Sequence, residues 1–256
     1  LQEISQEDAL RFKKVIENTK KQKKYSNSWQ YGMVSRPKTI LNHYLKYGTT
    51  HKAEIRKVID YFSIVTAGNT KGGLPQIFTK EEFHKLLDVV KDDIRGRAAL
   101  LLALNCGYYG KDIEDIKKSM IRSTQEYTYI YFPREKTGVK RINVLWQETI
   151  DAINQLINDS PKNKSDSIFI GFTGSAWSSK AICRWFNKIK QKVGVDKYFS
   201  NFRDTAASAL FGKINPDLVE VFLGHQIRDE RIKYVEVFSQ LMKPAADIIY
   251  QEYMAV

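Results

Sequence analysis

Cysteine, histidine and proline are scarce in this sequence of 256 residues, which contains two, four and six of them. The two cysteines, Cys106 and Cys183, lie far apart, and neither belongs to a CxxC pair or a His/Cys cluster. This pattern does not indicate a zinc site or a disulfide framework. We interpret both residues as buried free thiols of a protein from a reducing compartment.

Long hydrophobic runs are also missing. No stretch approaches the roughly 18 apolar residues that a membrane-spanning helix needs. The first ten residues, LQEISQEDAL, carry acidic side chains and no apolar segment, so they do not resemble a secretory signal. Hydrophobic residues still make up 43% of the chain, and we therefore expect a sizeable globular core.

Acidic residues are outnumbered by basic ones. The chain has 41 Lys and Arg against 29 Asp and Glu, which gives a formal net charge of +12. An excess of this size favours nucleic acid or another anionic surface as the partner. A basic protein without a polyanionic partner remains the alternative.

The chain is predicted to contain two domains. Residues 1–66 have helical periodicity throughout and form the first domain. Residues 67–75, AGNTKGGLP, contain three glycines and one proline and are predicted to be a linker. Residues 76–256 form the second domain. A loop within a single domain is the alternative interpretation of 67–75.

Local signals place several helix boundaries. Ser5 with Asp8, and Thr79 with Glu82, each have the spacing of a capping box at a helix start. Pro37 is predicted to end or bend the second helix of the first domain.

The second domain is predicted to be mainly helical with a small sheet. EYTYIYF and VKRINVLW, separated by a turn at EKTG, have the pattern of a β-hairpin, and SIFIGF indicates one more short strand. The predicted helices after the hairpin are 147–158, 178–193, 203–212, 216–222, 229–238 and 244–254. The fold class is therefore mainly α with a small antiparallel β-sheet (α+β).

Three motifs in the second domain carry a resemblance to a known family. FRDTAASALF contains Arg203, VFLGHQ contains His225, and a tyrosine follows that histidine by nine positions, at Tyr234. REKTGVKRINV places Lys136 in the hairpin turn. In this order and spacing they resemble the tyrosine recombinases of the phage-integrase type.

The resemblance implies a helical core-binding domain, a catalytic domain and four site residues. Arg203 takes the place of the second-box arginine, His225 that of the third-box histidine, Lys136 that of the hairpin lysine and Tyr234 that of the nucleophile. The implied activity is site-specific cutting and rejoining of DNA through a 3′-phosphotyrosine, in integration or another recombination of a mobile genetic element.

The chemistry of these residue types fits that reaction. A guanidinium can meet two oxygens of a phosphate at once and stays charged. A histidine can donate a further hydrogen bond to the same group, and a lysine can protonate the leaving 5′-hydroxyl. A phenol must be activated, because its ordinary pKa is about 10. The reaction requires no metal, nucleotide or other cofactor.

Each residue also has an ordinary interpretation when it is taken alone. Tyr234 fits an amphipathic helix, and Arg203 could pair with Asp204. His225 could cap a helix end, and Lys136 could be a solvated turn residue. Their joint order and spacing favour the family.

Two positions depart from the family pattern. The segment LNCGYYGKDIEDIKKSMI has Tyr109 where the family has its first-box arginine, and Ser200 stands where the family has His or Lys. Loss of one preorganised donor to a transition-state oxyanion costs about 3–4 kcal/mol. Three nearby cations are candidate substitutes: Lys111, Arg95 and Arg97.

Two hypotheses from different classes follow. The first is a strand-exchange enzyme in which a neighbouring cation replaces the lost arginine. The second is a recombinase-fold DNA-binding protein with little catalysis and an architectural or regulatory role. Retention of the other four site residues favours the enzyme.

Double-stranded DNA is the expected partner. By resemblance, the two domains would form a clamp around the duplex, with the protein in the cytoplasm at the nucleoid or encoded by a virus or mobile element. The candidate contacts to backbone phosphates are Lys20, Lys21, Lys23, Lys24, Lys140 and Arg141. The amphipathic segment 243–256 is expected to dock on a neighbouring protomer or, alternatively, on its own domain.

Overall fold

A computed structural model of the chain describes residues 5–25, 27–47, 52–62, 76–133, 140–159, 165–171, 174–225 and 235–255. The chain divides into two compact units, Leu1–Leu74 and Pro75–Val256. The predicted linker 67–75 lies outside the described residues.

The first unit contains three helices: α1 (Gln6–Lys23), α2 (Asn27–Tyr47) and α3 (Lys52–Phe62). Its apolar core is formed by Ala9, Ile16, Val34, Leu41, Ile55, Val58 and Ile59. The capping box predicted at the start of α1 is confirmed: the Asp8 amide donates to Ser5 Oγ, and the Ser5 amide donates to the Asp8 carboxylate.

Helix α2 does not end at Pro37, as the sequence allowed, but continues to Tyr47. A proline inside a helix removes one backbone hydrogen bond and costs about 3 kcal/mol. Val34 and Leu41, one turn before and one turn after Pro37, are both buried in the core. Their burial against the other helices offsets that cost.

The second unit contains eight helices and three strands within its described residues. They are α4 (Lys80–Val89), α5 (Ile94–Asn105), α6 (Gly110–Asp115), a 3-10 turn (Lys118–Met120), β1 (Ile121–Ser123), β2 (Thr128–Pro133), β3 (Lys140–Val144), α7 (Gln147–Asp159), α8 (Ser179–Val193), α9 (Asn201–Leu210), α10 (Pro216–Leu223) and α11 (Val235–Tyr253).

Helix α5 is the centre of this unit. From Ala98 to Asn105 every side chain is buried, and the helix packs against α6, α7, α9 and α11. A helix that is apolar on all sides must be surrounded, which agrees with the buried helix predicted from RAALLLALN. The capping box at Thr79 and Glu82, which begins α4, is also confirmed.

The sheet is antiparallel with the order β1-β2-β3. The hairpin prediction is confirmed by the pairing of β2 with β3, in which Phe132 lies opposite Arg141 and Ile130 opposite Asn143. The strand predicted at SIFIGF is wrong, because its described residues form only isolated bridges, from Ser167 and from Ile170.

The extent of α11 differs from the prediction in the same way as that of α2. The sequence predicts separate helices at 229–238 and 244–254, the second beginning at Pro244, but α11 runs without a break from Val235 through Pro244 to Tyr253. Met242, Ala245 and Ile249 are buried in the core of the same unit, so packing again outweighs the lost hydrogen bond. The predicted fold class, mainly α with a small antiparallel sheet, is confirmed. None of the described helices is both long and apolar enough to cross a membrane.

Candidate active site

Two glycine turns form the frame of the site. The first corner, Gly107–Tyr109, follows α5, and the second corner, Leu223–His225, ends α10. Gly107 and Gly224 have φ angles of +62° and +66°, a region that side chains rarely adopt. A Cβ at Gly107 would lie 2.9 Å from a Phe222 ring carbon, and one at Gly224 would lie 2.6 Å from Arg141 Nε. Both corners therefore depend on glycine for conformation and for space.

Arg203 joins the two corners. It lies in the first turn of α9 and is only 4% exposed. Its Nη1 donates to the Gly107 carbonyl at 3.1 Å, and its Nη2 donates to the Leu223 carbonyl. Nη2 also lies 3.0 Å from His225 Nε2. The guanidinium is thus held rigidly from three directions.

The hydrogen bonds of His225 define its tautomer in this arrangement. Because arginine can only donate, His225 Nε2 must accept from Arg203. The proton of the ring is then on Nδ1, which donates to Glu220 Oε2 at 2.7 Å. The His225 side chain is 46% exposed, so the Arg203–His225 pair reaches the protein surface at the imidazole. Glu220 carries no motif signal, and sequence reasoning missed it.

Tyr109 takes the place of the expected arginine and contacts the site through its ring. The Arg203 guanidinium carbon lies 4.8 Å from the centre of that ring, a cation–π contact. The Tyr109 amide donates to Asp112 Oδ2 at 2.8 Å, which fixes the start of α6. Tyr109 therefore supports Arg203 but offers no charge of its own.

Arg141 is not the surface phosphate contact that the sequence suggested. It is fully buried, and its Nη2 forms an ion pair with Asp112 Oδ1 at 3.2 Å. In the hairpin register it shares a face with Phe132, and that face points into the domain. The alternation of β3 did not indicate this burial, because the apolar Ile142 and Val144 lie on the opposite face, and in the structure both faces of β3 are buried.

The three candidate substitutes for the missing arginine are not gathered at the corners. Lys111 lies on the outer surface of α6 and pairs with Asp115 at 2.6 Å, the main reason that the pKa of Lys111 is raised. Arg95 stacks on Trp177, 4.5 Å from the ring centre. Arg95 and Arg97 begin α5, about 15 and 12 Å along the helix from Asn105 at its site end.

Two predicted site residues, Lys136 and Tyr234, lie outside the described residues, as does the side chain of Lys140. Ser200 is exposed and precedes α9 without a capping hydrogen bond from its side chain. In the first unit Lys21, Lys23 and Lys24 are exposed at the end of α1.

Lys20, the remaining member of the lysine run, donates to Gln30 Oε1 at 2.9 Å. The two cysteines differ: Cys106 is buried as expected, whereas Cys183 is exposed on α8, which corrects that expectation. In the described ranges, no group of three His, Cys, Asp or Glu residues could hold a metal ion.

Solved structures with the same fold are integrases and recombinases. A lambda integrase dimer bound to a COC′ core site matches with a TM-score of 0.62 and 17% identity, over 95% of this chain and 81% of that one. The Tn1549 transposon integrase in complex with circular intermediate DNA gives 0.63 and 12%, over 99% and 82%. XerA recombinase gives 0.54 and 18%, over 100% and 85%.

A search of curated protein sequences gives no match. The family model for the phage integrase family matches residues 76–240, which include all the motifs on which the resemblance was based. The family expectation is therefore confirmed, and this chain belongs to the phage integrase family, the tyrosine recombinases.

Proposed function

We propose that this protein binds duplex DNA and cuts and rejoins it through a covalent bond between Tyr234 and a 3′-phosphate. The observation that carries the proposal is the Arg203–His225 pair, a buried guanidinium joined at 3.0 Å to an exposed imidazole. A cation held in this way is preorganised for a phosphate that arrives at the surface beside His225.

In the proposed reaction the Tyr234 hydroxyl gives its proton to solvent, and its oxygen attacks phosphorus while the bond to the 5′-oxygen breaks. Arg203 stabilises the negative charge that develops on the non-bridging oxygens. His225 would hold the Arg203 guanidinium in place through Nε2, while its Nδ1 donates to Glu220. Lys136 would give its proton to the leaving 5′-hydroxyl, and attack by a 5′-hydroxyl on the phosphotyrosine would reverse these steps.

DNA as the substrate is supported by charge and by the relatives. The net charge of +12 favours a polyanion. The lambda and Tn1549 integrases of the same fold were solved with DNA. The exposed lysines 21, 23 and 24 and residue Lys140 are proposed as contacts to backbone phosphates.

A DNA-binding role without catalysis is the second candidate. The specific observation in its favour is Tyr109, whose ring occupies the face of Arg203 without supplying a charge. A missing guanidinium would slow cleavage by at least about 100–1000-fold. Such a protein would keep the fold and the basic surface and act as an architectural or regulatory factor.

Self-assembly on DNA is proposed by analogy with the lambda integrase dimer and tetramer on DNA. Helix α11 already uses its apolar face within its own unit, where the Ala246 carbonyl accepts from Trp146 Nε1 at 2.9 Å. Contact with a second protomer would therefore use the outer face of α11, where Leu241 is 45% exposed.

Covalent trapping tests the proposed function. The protein would be incubated with nicked duplex fragments from the DNA flanking its gene, and a denaturant-resistant protein–DNA adduct would be sought. We expect an adduct with the wild type, none with Tyr234→Phe, and a loss of at least about 100-fold with Arg203→Ala.

The control is Tyr131→Phe, a tyrosine on the sheet, which is expected to form the adduct normally. DNA binding without an adduct on any fragment would reject the enzyme and favour the regulatory role. An adduct that persists in Tyr234→Phe would place the nucleophile at another residue.

A further inference from the structure

We propose that Arg141 is a positioning residue of the active site, which holds the second corner, with Gly224 and His225, in place from β3. This inference rests on the proposed DNA-cleavage function. It concerns a residue that sequence reasoning assigned to the surface.

Arg141 and Arg203 are interleaved at the two corners. Arg203 contacts the outer residues of both corners through the Gly107 and Leu223 carbonyls, the Tyr109 ring and His225. Arg141 contacts the middle residues: its guanidinium lies 4.8 Å from the centre of the Tyr108 ring, and its Nε lies against Gly224. The two guanidiniums therefore brace the same two turns from different elements.

The burial of the Arg141 guanidinium is unfavourable for the free energy of folding. It is fully buried between Asp112 and the rings of Tyr108 and Phe132. Its Nε and Nη1 have no hydrogen-bond partner within the described part of the chain. Buried donors are nearly always satisfied, so a buried cation with two unused donors is unfavourable for stability and needs a reason in the structure around it.

The ion pair connects the first corner to the second. The Asp112 carboxylate also accepts from the Tyr109 amide at 2.8 Å, at the first corner. Arg141 lies against Gly224, beside His225, at the second corner. Because Asp112 balances its charge, Arg141 acts by holding the two corners in place.

The experiment removes the ion pair as a unit, because removal of Arg141 alone would leave the Asp112 carboxylate buried without a partner. The variants are Arg141→Met/Asp112→Asn and Arg141→Lys. Arg122→Met is the matched control, since Arg122 is an exposed sheet arginine that also stacks on a tyrosine, 4.8 Å from the ring of Tyr131.

The first readout is the rate of covalent adduct formation on nicked duplex, with DNA binding measured in parallel. We expect the double variant to lose about 100-fold or more in rate while its Kd changes less than about threefold, because a displaced second corner misaligns Arg203 and His225. A double variant within about threefold of the wild-type rate would overturn the proposal.

The second readout does not depend on cleavage. Amide hydrogen exchange at Gly224 and His225 reports whether Arg141 braces the second corner, where the His225 amide donates to the Glu220 carbonyl at 2.9 Å. We expect exchange at least about tenfold faster in Arg141→Lys than in Arg122→Met. Equal exchange in these two variants would overturn the proposal.

The two readouts separate the possible failures. If the wild type forms no adduct, the proposed function fails, and amide exchange alone decides whether Arg141 positions the corner. If the double variant does not fold, Arg141→Lys decides by both readouts, since it keeps the charge but loses the planar fork. If Arg141→Lys formed the adduct at the wild-type rate and showed the same amide exchange as Arg122→Met, the positioning role of Arg141 would be rejected.

Discussion

At His225 two oppositely charged side chains meet one imidazole ring. Glu220 accepts from Nδ1 at 2.7 Å, and Arg203 donates to Nε2 across 3.0 Å. The carboxylate fixes the ring orientation, and the ring in turn presents Nε2 to the Arg203 guanidinium. The contact between His225 and Arg203 therefore depends on Glu220.

Replacement of Glu220 tests this dependence. We expect Glu220→Ala to lower the rate of adduct formation on the order of 10- to 100-fold, because the ring loses its orienting acceptor. Glu220→Gln keeps an acceptor oxygen and is expected to lose less. Asp217→Asn, an exposed acid one turn earlier on α10, is the control for charge. Wild-type rates in Glu220→Ala would show that Arg203 alone orients the ring.

Cys106 is the buried thiol next to the first corner. Burial raises the pKa of Cys106 far above its ordinary value, so the thiol stays protonated in the folded protein. In the unfolded chain it ionises near pH 8.5. Above that pH the unfolded state binds fewer protons than the folded state, and the free energy of unfolding must fall as pH rises.

Urea unfolding at pH 8 and at pH 9.5 measures this effect. The wild type is expected to lose more free energy of unfolding between the two pH values than Cys106→Ala does. The difference approaches about 1.4 kcal/mol per pH unit at most. Cys183→Ala is the control, because Cys183 is exposed. Equal losses of unfolding free energy in the wild type and in Cys106→Ala would show that the buried Cys106 thiol does not cause this pH dependence.

At the scale of elements, helix starts follow local rules, whereas helix interiors follow packing. The capping boxes at Ser5 and Thr79 begin α1 and α4 as their spacing predicted. The prolines at positions 37 and 244 both lie inside helices, against their local tendency. The hydrogen bonds of a cap form within four residues. Whether a helix continues through a proline depends instead on apolar packing partners that are distant in sequence.

The cap of α4 can be tested against a cap that forms no side-chain bond. Thr79 Oγ1 accepts from the Glu82 amide, whereas Ser200 begins α9 without such a bond. We expect Thr79→Ala to lower the free energy of unfolding by about 1 kcal/mol. Ser200→Ala is expected to change it by less than about 0.5 kcal/mol. Equal effects in denaturant unfolding would contradict the capping role.

At the scale of the whole molecule, charge is the property that acts over the longest range. The excess of 12 positive charges is spread over both units, with the exposed lysines 21, 23 and 24 grouped at the end of α1. Neutralised phosphates release counterions, so each lysine that meets a phosphate adds to the salt dependence of binding.

Measured affinity against salt concentration tests the role of these lysines. Replacement of all three by alanine is expected to reduce the slope of log Kd against log salt by about 0.9 for each phosphate that is no longer neutralised. The control variant loses the same number of positive charges as the α1 variant. It replaces three exposed lysines of the second unit by alanine: Lys85, Lys91 and Lys188. An equal reduction in both triple variants would reject a specific role for the α1 lysines.

Order and spacing along the chain were sufficient to identify the family and the fold class, and they singled out Arg203 and His225, which the structure brings into contact. Local motifs preserve this information, because each of them is complete within a few consecutive residues. The hairpin and the capping boxes were predictable for the same reason, since their partners lie within a few residues or one short turn.

Which charges meet at the site depends on tertiary packing alone. Arg141 and Asp112 are 29 residues apart, and the hairpin register together with α6 brings them into one buried pair. The same packing places Lys111 at the surface and leaves Arg95 at the far end of α5. The sequence pattern does not indicate which distant residue a charged side chain will pair with. Burial and the packing of elements that are distant in sequence decide that pairing.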